Sequence, residues 1–272
     1  MGMKMRSLKR LICLLLFFYL TACSGDTEKP YVERSINGLY NSAIDALEAN
    51  KYLEAVKSFE EVERQHPYSV WATKAQLMAA YANYEANKYD DAIIGLDRFI
   101  QLHPANPDTP YAYYLKALSY YEQITDISRD QLVTEKALKA LRNVARRYPQ
   151  TKYARSARLK IDLARDHLAG KEMSIGRFYL YKKEYTAAIN RFNRVINQYQ
   201  TTAHVPEALH RVAEAYTALG LPEEAKNAAS VLGHNFPGSE WYTDSYTLMT
   251  GKNVSKNKKK KGFLTRLWNT VF

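Results

Sequence analysis

The sequence is poor in the residues that enzyme chemistry most often uses. Only two cysteines, Cys13 and Cys23, occur in 272 residues, which excludes a four-thiolate metal site and a multi-disulfide framework. There is no Gly-rich phosphate loop, no Gly-x-Ser-x-Gly and no His-Glu-x-x-His, so the common signatures of nucleotide hydrolysis, serine hydrolysis and zinc proteolysis are missing. Of the six histidines, His204 and His210 stand six apart and do not share a helix face for a metal. His66 and His103 precede prolines and read as packing residues. Asp90-Asp91 and Glu223-Glu224 read as acidic first turns that offset a helix dipole rather than as an acid/base pair. The expectation is a protein that is not an enzyme and has no cofactor or metal.

The first 22 residues have the layout of an export signal. Lys4, Arg6, Lys9 and Arg10 make a positive start, and Leu11 to Leu20 carries no charge. That run is about half of what a membrane-spanning helix needs. Leu20-Thr21-Ala22-Cys23 ends it, and this resembles the lipobox of bacterial lipoproteins. The resemblance implies cleavage before Cys23 and a covalent N-acyl diacylglycerol anchor on it. Several acyl chains hold a protein stably where one alone holds it marginally. Ser24 follows, where lipoproteins retained at the inner membrane tend to have Asp, so the resemblance also implies the periplasmic face of the outer membrane.

The net charge of +11 is misleading as a pointer to nucleic acid. The signal holds four cations and no acid, and the stretch from Lys252 onward holds seven and no acid. What remains between residues 23 and 251 is 28 basic and 28 acidic side chains. A neutral, exported body argues against nucleic acid as a partner.

Beyond a linker at 23–35 the chain repeats. Asn50-Lys51-Tyr52, Asn87-Lys88-Tyr89 and Lys183-Glu184-Tyr185 introduce alanines at 55, 92 and 188, with weaker copies around Ala137 and Ala225. Twelve residues before the anchors stand Ala43, Ala80, Gly176 and Ala213; twelve after stand Pro67, Pro104, Pro149 and Pro237, with Gln200 in the fifth place. Small residues let paired helices approach, and proline ends each unit. This resembles the tetratricopeptide repeat. It predicts an all-α, right-handed superhelical solenoid of about five helix pairs, at about 36–69, 70–106, 107–150, 151–201 and 202–237. The third unit's extra residues are expected around Asp126–Gln131. The fourth unit predicts a long first helix pair, with Gly170 and Gly176 as candidate bends.

Tyrosine is over-represented, with 22 residues. Tyr52, Tyr89 and Tyr185 recur at one repeat position and are expected in the core. In tetratricopeptide proteins the first helices face the groove of the superhelix. Register from Ala43, Ala80 and Ala117 places Tyr40, Tyr81, Tyr84, Tyr111, Tyr114 and Tyr121 there, as candidates for binding a peptide. Residues 238–272 read as a basic tail. In it, Phe263, Leu264, Leu267, Trp268, Val271 and Phe272 form a stripe of helical period that suits an anionic membrane or a partner groove.

Signal, lipobox, neutral repeat body and early tyrosines, with Gln65-His66-Pro67-Tyr68-Ser69 and Arg147-Tyr148-Pro149, resemble the BamD family of the outer-membrane β-barrel assembly complex. The resemblance implies a non-enzymatic scaffold. Its C-terminal repeats would meet a BamA-type periplasmic domain, and its N-terminal repeats would receive C-terminal segments of unfolded outer-membrane proteins. Another lipid-anchored repeat adaptor, for secretin or pilus assembly or for envelope–peptidoglycan coordination, is the alternative. Replacing Cys23 with Ser is expected to prevent acylation, read by mass spectrometry as loss of the lipid mass and by fractionation as loss of membrane attachment.

Overall fold

The structure is a computed structural model that describes residues 33–251. The lipobox cysteine, the signal and the amphipathic end of the tail lie outside the described residues. Within them the chain is helical throughout: α1 (Ile36–Glu48), α2 (Tyr52–Gln65), α3 (Val70–Glu85), α4 (Tyr89–Leu102), α5 (Thr109–Tyr121), α6 (Leu132–Arg147), α7 (Lys152–Tyr181), α8 (Tyr185–Gln198), α9 (Val205–Ala218), α10 (Pro222–Asn235) and α11 (Glu240–Thr250). Each packs mainly on its neighbours in the chain. First helices of successive pairs also touch, α1 with α3, α3 with α5 and α5 with α7. The fold is an all-α solenoid of tetratricopeptide-like pairs.

The anchors explain the pairing. Ala55, Ala92, Ala137, Ala188 and Ala225 have no exposed surface, and neither do Phe59, Leu96, Leu141 and Phe192 one helical turn later. An alanine lets the partner backbone come close, and the large side chain beside it fills the space so created. Burying each such Phe or Leu contributes about 1.5–3 kcal/mol. Ala229, at the same place in the last pair, is only half-buried, so that pair is the least filled.

Two turns recur. Within four of the pairs the first helix ends in a left-handed residue: Asn50 and Asn87 at φ 58°, Lys183 at 62° and Gly220 at 74°. Each closes a Schellman-type cap, for example Lys51 N–H to Ala46 O at 2.8 Å and Glu184 N–H to Tyr179 O at 2.9 Å. Tyr52 and Tyr89 are half-buried rather than core. Their hydroxyls donate to Asn50 and Asn87 Oδ1, each at 2.7 Å, so they brace the left-handed turn, which is why they recur. Tyr185 is half-buried too, and Lys183 offers it no amide oxygen.

Between pairs, the residue before each repeat-ending proline, and Tyr199 before Gln200, leaves the helix with φ between −135° and −124°. Its carbonyl accepts the N–H three residues on, as in Ser69 to His66 and Ser239 to Phe236. Gln200 breaks the proline pattern but not this turn, because Thr202 bonds Tyr199 O through both its N–H and its hydroxyl. Ser69 and Thr151 then cap the next helix through their side-chain oxygens.

Two differences from the sequence reading, and one feature found where it was expected, have physical causes. Residues 240–250 form a helix instead of belonging to a tail, because Phe236-Pro237-Gly238-Ser239 is a further copy of the inter-pair turn, capped by Ser239. That helix packs on α9 and α10. The fourth unit's first helix is a single 30-residue element, α7, which runs without a break through both Gly170 and Gly176. At Gly176 the absent side chain makes room: a Cβ there would lie 2.4 Å from Cε1 of the Phe192 ring. The third unit's additional residues sit between α5 and α6, where Gln131 orders the loop by bonding Arg129 O at 3.0 Å and Thr134 Oγ1 at 2.9 Å.

Two outcomes are expected from thermal denaturation. Lys183→Asn, which suits a positive φ and restores an oxygen for Tyr185, raises stability by about 1 kcal/mol. Gly176→Ala forces its methyl against Phe192 and lowers stability by about 1–3 kcal/mol.

Candidate functional site

Five of the six sequence-selected tyrosines come together. Tyr81 and Tyr84 lie on α3, and Tyr111, Tyr114 and Tyr121 on α5; all five are half-buried. They form a belt because α3 and α5 touch and the tyrosines occupy the side of each helix left free by the alanines. Tyr81 and Tyr84 stand three apart, as do Tyr111 and Tyr114, with Tyr121 a further two turns on, so on each helix these tyrosines share a face. Tyr40 stands elsewhere. It packs edge-on against Phe59 at 5.5 Å and against Trp71 at 4.7 Å between ring centres, a separate aromatic cluster at the first pair.

Tyr153, in the first turn of α7, completes the belt and was not selected from the sequence. Its ring lies 5.5 Å from Tyr111 and 5.4 Å from Tyr114. The signal for it was present: it is the aromatic residue four before Ala157, which is fully buried against α5 and α6. The polar groups of the belt are spread along it. The Tyr114 hydroxyl meets Ser156 Oγ at 2.6 Å, Glu85 lies near enough to help raise the Tyr81 phenol, after burial, and the Lys160 ammonium sits 4.4 Å over the Tyr121 ring. Tyrosines in this form give broad apolar area with hydroxyls at the rim, which suits an extended peptide better than a small ligand.

Burial is the first cause that raises the phenols. It pushes Tyr84 up to about 12, with Glu122 and Tyr89 adding to it, and raises Tyr111 with help from Tyr81, Tyr153 and Glu85. These two hydroxyls are therefore neutral donors across the physiological range. Among the described residues no group of His, Cys, Asp and Glu is arranged to hold a metal ion.

The later pairs are joined differently, by ion pairs far apart in the sequence. Glu172 on α7 meets Arg191 at 3.2 Å and Arg194 at 2.9 Å. Arg177 grips Glu207 through two bonds of 2.8 and 2.6 Å. Burial alone would raise the Glu207 carboxyl, but Arg177 and Arg211 hold it below the ordinary value. His210 is buried, bonds Ser245 Oγ at 2.8 Å and stacks on Trp241 at 5.4 Å. It is a packing residue that docks α11, not a ligand. His103 likewise packs on Phe99 and lies 2.9 Å from Gln76 Oε1.

Comparison with known proteins agrees with this architecture. A family model described as an outer membrane lipoprotein, YfiO, matches residues 33–250. The outer membrane protein assembly factor BamD of Caulobacter vibrioides is 52% identical over 238 residues, 86% of this chain and 78% of its own. The protein of that name from Rickettsia prowazekii is 47% identical over 236 residues, covering 87% of this chain and 94% of its own. That of Neisseria meningitidis serogroup A is 34% identical over 253 residues, 88% and 95%.

Raised phenol values stabilise the fold below the unfolded value of 10.0 and that stability is lost as pH rises through the folded values. Melting temperature is therefore expected to fall as pH climbs above 10, and the double variant Tyr84→Phe/Tyr111→Phe is expected to fall less steeply, measured by circular dichroism.

Proposed function

The chain belongs to the BamD (YfiO) family of outer membrane protein assembly factors, and from that premise we propose that it is a non-enzymatic, lipid-anchored scaffold of the β-barrel assembly complex at the periplasmic face of the outer membrane. Attachment to the membrane would be through the acylated Cys23, a reading that rests on the lipobox at Leu20-Thr21-Ala22-Cys23; no helix among the described residues is long and apolar enough to cross a membrane. The later pairs, α7 to α11, would bind a BamA-type periplasmic domain. The tyrosine belt of the earlier pairs would bind C-terminal segments of unfolded barrel proteins.

One observation carries the second assignment. Tyr81, Tyr84, Tyr111, Tyr114 and Tyr153 form a continuous aromatic surface that remains half-exposed. A barrel strand exposes an aromatic or aliphatic side chain at every second position. Successive side chains of that kind can settle between the rings while hydroxyls and Glu85 satisfy the peptide's backbone. The later pairs supply rigidity, because buried Glu172 and Glu207 lock α7, α8 and α9 together and present a fixed surface to a folded partner.

The test is site-specific photocrosslinking from positions 81, 111 and 114 of the lipidated chain in membranes. Adducts with nascent barrel proteins that vanish when their terminal strand is deleted are expected. Adducts with nothing beyond the chain's own helices would remove the peptide assignment. Purification from detergent-solubilised membranes without any other assembly subunit would remove the scaffold assignment separately.

A further inference from the structure

The belt occupies one side of α5, and the other side is built for something else. A helix advances about 100° per residue, so Tyr113, Lys116 and Tyr120 stand roughly opposite Tyr111, Tyr114 and Tyr121. Together with α6, Leu168 of α7 and Tyr199 beyond α8, these three line a cleft of about 1080 Å³. Its floor is apolar: Leu138 and Leu168 are buried at 7% and 5% exposure. Its rim is cationic. Lys136, Lys139, Arg142 and Arg146 project from α6 against a single acid, Glu135.

That charge has no internal purpose. Lys116 pairs with Asp97 at 2.5 Å, but none of the four α6 cations takes part in an ion pair among the described residues. They are exposed and lie three, three and four residues apart, so like charges repel along one face. In a body whose charges balance in total, this is a local excess. Arg147 nearby bonds the Tyr113 hydroxyl at 2.6 Å and covers its ring.

We infer that this cleft is a second docking site, for an acidic extended peptide segment that also carries an aromatic or aliphatic side chain. Carboxylates would meet the α6 cations, and the apolar side chain would reach Leu138 and Leu168 between Tyr113 and Tyr199. Charge complementarity selects the occupant. The chain's own tail is excluded, because Lys256 and Lys258 to Lys261 would be repelled. A flat anionic membrane would meet the cations but leave the concave floor unfilled. The site lies on the opposite side of α5 from the tyrosine belt, so a scaffold could hold an acidic partner segment and a substrate segment together.

The test uses the purified, lipidated full chain in detergent and a short fluorescein-labelled peptide of Glu, Asp and Phe, read by fluorescence anisotropy. Binding that weakens as salt rises is expected. Lys139→Glu/Arg142→Glu should weaken it by about tenfold, Lys139→Gln/Arg142→Gln by less, and the belt variant Tyr84→Phe/Tyr111→Phe not at all. Melting curves of both α6 variants verify that they fold. Three results would overturn the inference. One is equal affinity for the same peptide with Gln and Asn in place of its acids. Another is affinity that ignores the α6 substitutions in folded protein. The third is binding of phosphatidylglycerol vesicles, sensitive to those substitutions, with no binding of the peptide.

Discussion

A small residue facing a large buried side chain is the contact on which the stack depends. Ala55 with Phe59, Ala92 with Leu96, Ala137 with Leu141 and Ala188 with Phe192 are all without exposed surface. Gly176 is the extreme case, since the Phe192 ring occupies the space a methyl would take. Such contacts set how closely two helices approach, and every later feature inherits that spacing. A solenoid unit buries its apolar face only against its neighbours, so no single central core forms and the sides of the stack remain available.

What those sides carry follows from helical register. On α5 the alanine and leucine positions face inward, the tyrosines at 111, 114 and 121 face one way, and Tyr113, Lys116 and Tyr120 face the other. The two surfaces differ in chemistry. One is aromatic with phenol hydroxyls; the other is cationic around an apolar floor. The two sides of one helix pair are thus chemically distinct surfaces, in a chain that belongs to a family of outer membrane protein assembly factors.

The early and late pairs are stiffened by different means. Around the first and second pairs a polar chain runs from Glu63 through Gln76 to His103, with Arg98 on Glu63. Around α7 the links are Glu172 with two arginines and Glu207 with Arg177 and Arg211. A carboxylate this far from water is tolerated only because its partners are bidentate or paired. Breaking either would leave a buried charge, so these links favour a fixed arrangement of α7 to α9 over a flexible one.

Local sequence was enough to determine the helix-pair fold, the tyrosine face of α3 and α5 and the acidic first turns, because each depends on spacing within a few residues of a helix. It also determined the inter-pair turn well enough that Gln200 could be substituted without loss. Other features came only from tertiary structure. Tyr40 leaves the belt because Trp71 and Phe59 claim its ring. Tyr153 joins because α7 lies against α5. Gly176 is a contact rather than a bend because α8 brings Phe192 to it. Residues 240–250 are a helix because α9 and α10 offer a surface that no tail composition reveals. The α6 cations become a cleft only once α7 and Tyr199 wall them in. In each of these cases the deciding partner lies on another element, and periodicity along one helix says nothing about which side chain of another will stand opposite.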